Sequence, residues 1–411
     1  MQITSQDWQE TNRALFTREA SISITMDRAD GKQPFLTDTD IISFSHIKNG
    51  DIFSSMLTQD KVVFTVNNRN NILDYDETDE NDVYKNTMIV INEGFLNSAG
   101  TQYDAVSGGR YYISDVKRES DGLRYTFTAQ TILSFMAEQC DDTITSGTAY
   151  SIANKIITQA QNSKAVPASA ITLICDYSLL SGVFVSVLST DKLSLAVALQ
   201  LIAAACGCVL FVDRHGRIHI EQIGDVSEHY VMAKRFLYSP LTVEYADRIG
   251  NVTVISNHGN TSDGTTESGD KIGGKQIVTI PILNDEEQSH TLVFDTLTKL
   301  KNGRKRFKGK VRFDPALDLY DLIVIPNGEY VDIAVITSIN ATYSGAWKAD
   351  ISAMTVKGAT LDLRICDIEM LTITQFEKIR IEQLNPNTIS DIDGDYLSSE
   401  YGELAFWKED D

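Results

Sequence analysis

The sequence predicts a mainly β, α+β fold: two related antiparallel β-barrels separated by a small α/β module. Three observations carry this expectation. A short apolar strand recurs, since 86–94 reads NTMIVINEG and 320–330 reads YDLIVIPNGEY, each copy reaching a glycine, Gly94 or Gly328. The stretches that follow share one plan. GRYYISDVKRESDGLRYTFTA (109–129) and GEYVDIAVITSINATYSGAWKADISA (328–353) both start Gly-x-Tyr, alternate, turn at Gly122 or Gly345, and alternate again to an alanine. Period-two alternation around a glycine turn is the mark of a β-hairpin, and its recurrence marks an internal repeat. Between the copies, 192–221 has a different grammar, of helix, strand, turn and strand.

Taken in chain order, residues 1–137 form the first barrel domain, with strands at 21–26 (SISITM) and 62–66 (VVFTV), the 109–129 hairpin, and a short helix through Ile132 and Phe135. Residues 138–232 form the α/β module. There, Ile152, Ile156, Ile157 and Ala160 fall on one face of a helix over 150–161, and a loop with Pro167 follows. LSLAVALQLIAAACGCVLFV (193–212) has the length of a bilayer crossing. Its internal order rejects that reading: leucine, alanine and isoleucine keep helical spacing to Ala205, Cys206-Gly207-Cys208 breaks it, and 209–212 reads as a strand. DRHGR (213–217) is then a tight turn, and 218–221 alternates on the way back. Residues 233–365 return to strands, at 243–255, 276–282 and 311–313, with a Gly/Ser/Thr/Asp loop over 257–274. Residues 366–411 form an acidic extension with 12 acids against 3 bases.

At 411 residues the chain exceeds what one core usually organises. A net charge of −21 argues against wrapping duplex nucleic acid through counterion release. The five cysteines, Cys140, Cys175, Cys206, Cys208 and Cys366, lack the spacing of a disulfide scaffold and suit reduced thiols made in a cytoplasm. The polar N-terminus, MQITSQDWQETNRALF, gives no sign of a signal peptide.

No residue pattern asks for catalysis, a cofactor or a metal. G-x-S-x-G, H-E-x-x-H, the P-loop and G-x-G-x-x-G are all missing. Cys206, Cys208, His215 and His219 form C-x-C-x6-H-x3-H, which is not a finger spacing, and a buried helix end with a solvent-facing hairpin explains them better. The acidic run Asp74, Asp76, Glu77, Asp79, Glu80, Asp82 and the segment Asp391, Asp393, Asp395 fail the EF-hand pattern and read as solvated loops. The densest basic stretch holds Lys299, Lys301, Arg304, Lys305, Arg306, Lys308, Lys310 and Arg312 without one acid. In so acidic a chain it reads as a lysine-rich helix end followed by an exposed strand, an interface for an acidic neighbouring subunit. Asp314-Pro315 fixes the turn after that strand, because proline lacks a donor and holds the preceding residue extended. Leu317 and Leu319 then point to the core, while Asp318 and Asp321 face water or cap the turn.

KGKVRFDPALDLYDLIVI (308–325) resembles the strand, Asp-Pro, Leu-x-x-x-Asp, strand sequence of phage tail hub proteins. LTVEYADRIGNVTVI (241–255) and RYYISDVKRESDGLRYTFTAQTIL (110–133) are similar to further parts of the same family, the gp27-like baseplate hub or tail-associated (Tal) proteins. The resemblance covers about residues 15–363 and implies a homotrimer whose six barrels form a pseudo-sixfold ring. By that resemblance the ring joins the hexameric tail tube above to a spike, fibre or receptor-binding protein below, at the virion tail tip, after assembly in the host cytoplasm. Genome DNA would cross the lumen without specific binding, past acidic walls that repel it. Some family members carry a wall-cleaving domain after the hub region. The 46 residues from Cys366 are too few for one, so no enzyme is expected.

A second reading, from another class, is a module that binds host-surface carbohydrate through the 257–274 loop and exposed aromatics, with Tyr111, Tyr112 and Trp347 as candidates. Strand cores account for these three at least as well.

Overall fold

Alternating side chains build the first half of the molecule. In the computed structural model, β1 (Ala20–Asp27), β2 (Phe35–Thr37), β3 (Ile41–Asn49), β4 (Gln59–Asn67), β5 (Met88–Leu96), β6 (Tyr103–Arg118) and β7 (Arg124–Gln130) lie in one sheet. Every second residue points inward: Ile22, Ile24 and Met26 on β1, Val62, Phe64 and Val66 on β4 are buried. A 3₁₀ turn, Ile132–Phe135, ends this half. The structure describes residues 20–356, apart from 29–30, 70–72, 74–83, 97–102, 120–122, 143, 165, 168–170, 187–191, 224–229, 232–236, 239, 257–260, 266–272 and 328–329. The acidic run between Asp74 and Asp82, Gly122, Gly328 and the acidic extension 366–411 therefore lie outside the described residues.

The module follows, with β8 (Ser146–Thr148), α1 (Ala149–Asn162), β9 (Leu173–Cys175), α2 (Tyr177–Ser181), β10 (Phe184–Ser186), α3 (Leu195–Ala205), β11 (Val209–Val212) and β12 (Ile218–Glu221). The Thr148 hydroxyl accepts from Ser151 N at 3.2 Å and caps α1, whose Ile152, Ile156, Ile157 and Ala160 are buried. Ser194 caps α3 in the same way. Gly207, at φ 67°, turns the chain out of α3 into β11.

The chain then forms β13 (Tyr230–Val231), β14 (Thr242–Tyr245), β15 (Ile249–Ser256), β16 (Thr261–Thr265), β17 (Gly274–Ile280), α4 (Glu286–Asn302), β18 (Lys305–Arg312), β19 (Leu322–Asn327), β20 (Tyr330–Tyr343) and β21 (Trp347–Thr355). Asp285 caps α4, Glu286 and Glu287 sit in its first turn, and Lys299 and Lys301 in its last, all complementing the helix dipole. The expected single strand 243–255 is two strands in different sheets, because β14 pairs with β18 and β15 pairs with β16 and β17. Part of the expected 257–274 loop is β16 itself.

The repeat is present in the topology. The strand order β3-β4-β7-β6-β5 in the first half matches β14-β18-β21-β20-β19 in the second, with the same chain order in each. Residue equivalences follow from the pairings. Asn86 and Tyr320 both have positive φ, 65° and 66°. Asn86 N donates to Ile113 O at 2.8 Å, and Tyr320 N donates to Ile336 O at 2.9 Å. Beside each is a bulge where a hydroxyl donates to a carbonyl of the next strand: Ser114 to Thr128 O at 3.2 Å, and Thr337 to Ser352 O at 3.3 Å. The match of 86–94 with 320–328 thus holds residue for residue over the described positions. The Gly-x-Tyr match does not: the bulges set Tyr111 against Ala334, four residues beyond Tyr330, since a bulge and not a composition cue fixes register. Nor does the first strand stop at Gly94, because β5 continues to Leu96.

The two β halves are separated in sequence and joined in space. β20 pairs antiparallel with β3, from Ser338↔Asn49 to Tyr343↔Phe44, so one sheet runs through both. They also share one apolar core, in which Phe44, Phe64 and Phe127 meet Val311, Ile339 and Trp347. A second core lies under the module, where α1, α3 and β12 pack with Val252 and Val254 of β15 and with Leu292, Val293 and Leu297 of α4.

Candidate functional site: a charged junction and an open sheet edge

Where the two β halves meet the module, the inward rows of three strands, β3, β4 and β5, end in polar groups. On β3 the row is Phe44, His46, Lys48; on β4 it is Val66, Phe64, Val62, Asp60; on β5 it is Ile89, Ile91, Glu93, and these polar groups are buried. His46 is held from both sides: Nε2 lies 3.0 Å from Asp60 Oδ1, and Nδ1 lies 3.4 Å from Glu93 Oε1. The Tyr111 hydroxyl stands 2.6 Å from Nε2 and 3.3 Å from Asp60 Oδ2. With a carboxylate at each ring nitrogen, imidazolium is the form that donates to both. Burial and Lys48 push the His46 pKa down, but the hydrogen bonds with Asp60 and Glu93 outweigh them and raise it above 6.5.

Lys48 continues the cluster into the second half. Its Nζ donates to Asp318 Oδ1 at 2.6 Å and lies 4.0 Å from Asp60 Oδ2. The module supplies the other cation, Arg214 from the β11–β12 turn. Its guanidinium donates to Asp318 Oδ2 at 2.7 Å, Ser107 O at 2.8 Å and Leu317 O at 2.6 Å. One arginine therefore ties the module to both β halves. Burial pushes the Asp318 carboxyl up, yet Lys48 and Arg214 together hold it well below the usual range. Asp318, expected to face water or cap the turn, does accept from Leu319 N at 2.8 Å within it, and it is also the shared anion of two buried cations. Asp321 does cap the turn, accepting from Asp318 N at 2.7 Å.

At the Asp314-Pro315 turn, Asp314 Oδ1 accepts from Ala316 N at 2.9 Å, and Leu317 is buried in the shared core. Gly94 serves packing and not a turn, since an added Cβ would lie 2.8 Å from Ser21 Oγ. Its carbonyl accepts from Trp347 Nε1 at 3.3 Å, a link between the halves.

The basic stretch divides in two. Lys299 pairs with Asp295 at 2.8 Å and donates to Gly207 O at 2.9 Å; Arg304 donates to Ala246 O at 3.3 Å; Lys305 pairs with Asp332. These side chains are committed within the fold. Lys301 lies exposed in the last turn of α4. Arg306, Lys308, Lys310 and Arg312 alternate with Phe307 and Val311 on β18 and share its outer face, where Lys308 pairs with Glu244 of β14 at 2.8 Å. β14 is the edge of the sheet, and its residues are all exposed, with Tyr238 close by in sequence and exposed as well.

The remaining candidates resolve into structure. Cys206 and Cys208 are buried at the end of α3, and burial pushes the Cys208 thiol up to about 12. His219 lies between Glu221, 2.7 Å away, and Asp213, 3.1 Å away, while His215 is exposed on the turn. No group of His, Cys, Asp and Glu among the described residues could hold a metal. Tyr111 and Trp347 are buried, which removes them as sugar-stacking surfaces. No helix among the described residues is long and apolar enough to cross a membrane.

No model of a known protein family matches the chain, and no curated protein does. Solved structures do. A tail protein from Neisseria meningitidis superimposes with a TM-score of 0.55 at 10% identity, covering 81% of this chain and 96% of that one. The 43 kDa tail protein of prophage MuSo2 from Shewanella oneidensis gives 0.52 at 13% identity, covering 83% and 99%. Prophage tail protein gp18 from Listeria monocytogenes gives 0.51 at 12% identity, covering 83% and 95%. The chain has the fold of phage tail proteins, mainly β and antiparallel, as the resemblance to the hub family implied.

Proposed function

We propose that the chain is a structural hub of a phage or phage-like tail tip, a homotrimer whose ring joins the sixfold tail tube to a threefold spike or fibre. The observation that carries this reading is the duplicated five-strand unit in one continuous sheet. Three chains would present six such units, so the ring could meet a sixfold neighbour on one face and a threefold one on the other. Assembly by packing fits a molecule whose buried charged groups tie its parts together. Segments 1–137, 138–232, 233–365 and 366–411 are taken as first barrel, module, second barrel and acidic extension. The outer face of β18 is the contact for an acidic neighbour, and the DNA channel is lined by surface of this strongly acidic chain.

The test is the solution mass of the purified chain by light scattering, with negative-stain images of the same sample. A trimer with a ring and central hole is the expected result. A particle of any other symmetry overturns the hub reading, as does a monomer that fails to enter rings with its neighbouring tail proteins.

A further inference from the structure

The repeat leaves one seat filled and its equivalent empty. Within the chain, the C-terminal half of β20 takes β3 alongside, opposite β21. The equivalent half of β6, from the bulge at Ser114 to Arg118, pairs with β7 on one side, and no strand among the described residues takes the other. Conversely, β14 is the equivalent of β3, since His46↔Val62 and Val243↔Phe307 match through β4 and β18. β3 has a neighbour on both sides; among the described residues β14 has β18 alone.

We propose that β14 of one copy of this chain pairs antiparallel with residues 115–119 of β6 and its end in the next copy, as β3 pairs with β20 within each. The inference deepens the hub reading and rests on it. It names the strands that close the ring. Carrying Asn340↔Ile47, Ile339↔Lys48 and Ala341↔His46 over to the equivalent positions sets Lys117 against Glu244, Val116 against Tyr245 and Arg118 against Val243.

Burial supports this assignment. Val243 and Tyr245 lie on the core-facing side of β14, yet they are 40% and 69% exposed, whereas their equivalents His46 and Lys48, covered by β20, are each 4% exposed. The apolar row of β14 thus extends beyond the sheet that should cover it. Val116, which would face Tyr245, is already packed against the shared core. The charges also complement one another, because Lys117 is exposed on β6 and Glu244 is exposed on the edge strand. A head-to-tail contact of this kind uses two different surfaces and closes only by forming a ring.

The full-length chain carrying both Lys117→Cys and Glu244→Cys tests the register, because opposed positions in an antiparallel pair lie within disulfide reach. Mild oxidation should link neighbouring copies into dimers and closed rings on a denaturing gel, while each single variant should match the parent chain. Trimers by mass without linkage beyond the single variants would overturn the strand pairing and leave the hub reading standing. A chain that stays monomeric and unlinked at every soluble concentration would overturn the pairing and count against the ring. A charge swap gives a second reading: Lys117→Glu should weaken self-association about tenfold per contact, and adding Glu244→Lys together with Lys308→Glu, which keeps the pair between β14 and β18, should restore it. Equal weakening in the single and swapped chains would also overturn the pairing.

Discussion

Replacing Arg214 with Met tests the junction most directly. The substitution keeps a long apolar stem but removes a buried guanidinium that makes three hydrogen bonds, at 2.7, 2.8 and 2.6 Å. Breaking a buried ion pair by removing one partner costs about 3–5 kcal/mol. Two carbonyls, of Ser107 and Leu317, also lose their charged donor, but water entering the vacated volume offsets part of that, so about 4 kcal/mol is expected in all. At roughly 2–4 °C per kcal/mol, the midpoint of thermal unfolding should fall by about 10 °C. Adding Asp318→Leu should not recover the loss, because Asp318 is also the 2.6 Å partner of buried Lys48 and its removal strands that cation. Differential scanning calorimetry on the parent, single and double variants measures all three. A fall under about 2 °C for Arg214→Met would refute the view that this arginine fastens the module.

Other consequences follow from the same geometry. The His46 pKa is raised in the fold, so its stabilisation is fully present below about pH 6.5 and is lost as pH rises through the folded value. Unfolding free energy should therefore decline as pH rises above about 6.5, and His46→Gln should flatten that part of the profile in denaturant titrations. Asp318 has the opposite sign: its contribution is present above about pH 4 and persists into acid, until pH falls through its depressed folded value. Asp318→Asn should remove that acid-side resistance, seen as an earlier acid transition in far-UV circular dichroism. Gly94→Ala should cost about 1–3 kcal/mol, because its Cβ would press on Ser21 Oγ and the Asp104 carbonyl; chemical denaturation reads this directly. Cys206 and Cys208, buried with raised pKa values, should resist a thiol reagent in the native protein and react on unfolding.

Much of the fold was legible because alternation and turn chemistry are local. The helix, strand, turn and strand of the module lie where their spacing puts them, at Leu195–Ala205, Val209–Val212 and Ile218–Glu221. The 86–94 and 320–328 match survived because its left-handed residue, Asn86 or Tyr320, sits at the same point of both copies. What was missed depends on partners distant in sequence. Whether 243–255 is one strand or two is decided by which sheet each piece joins. Asp318 looked like a turn residue, since nothing nearby announces Lys48 or Arg214. One signal was available: on β3 the inward row that begins with Phe44 continues through His46 and Lys48, and charge at core-facing positions calls for buried partners. The open edge could not be read at all, because it is defined by the neighbour that β14 lacks.

The shared core also sets a timetable. Trp347 packs on Phe44 and donates to the Gly94 carbonyl across 253 residues of chain, so the first half cannot complete its interior when it leaves the ribosome. At roughly 5–20 residues per second, that partner arrives tens of seconds late. Meanwhile β3 would present an unpaired edge and an unfilled apolar face, the conditions under which nascent chains stick to one another or recruit a chaperone. Yield in a heterologous host should thus depend on translation speed and chaperone supply more than on the stability of the finished protein.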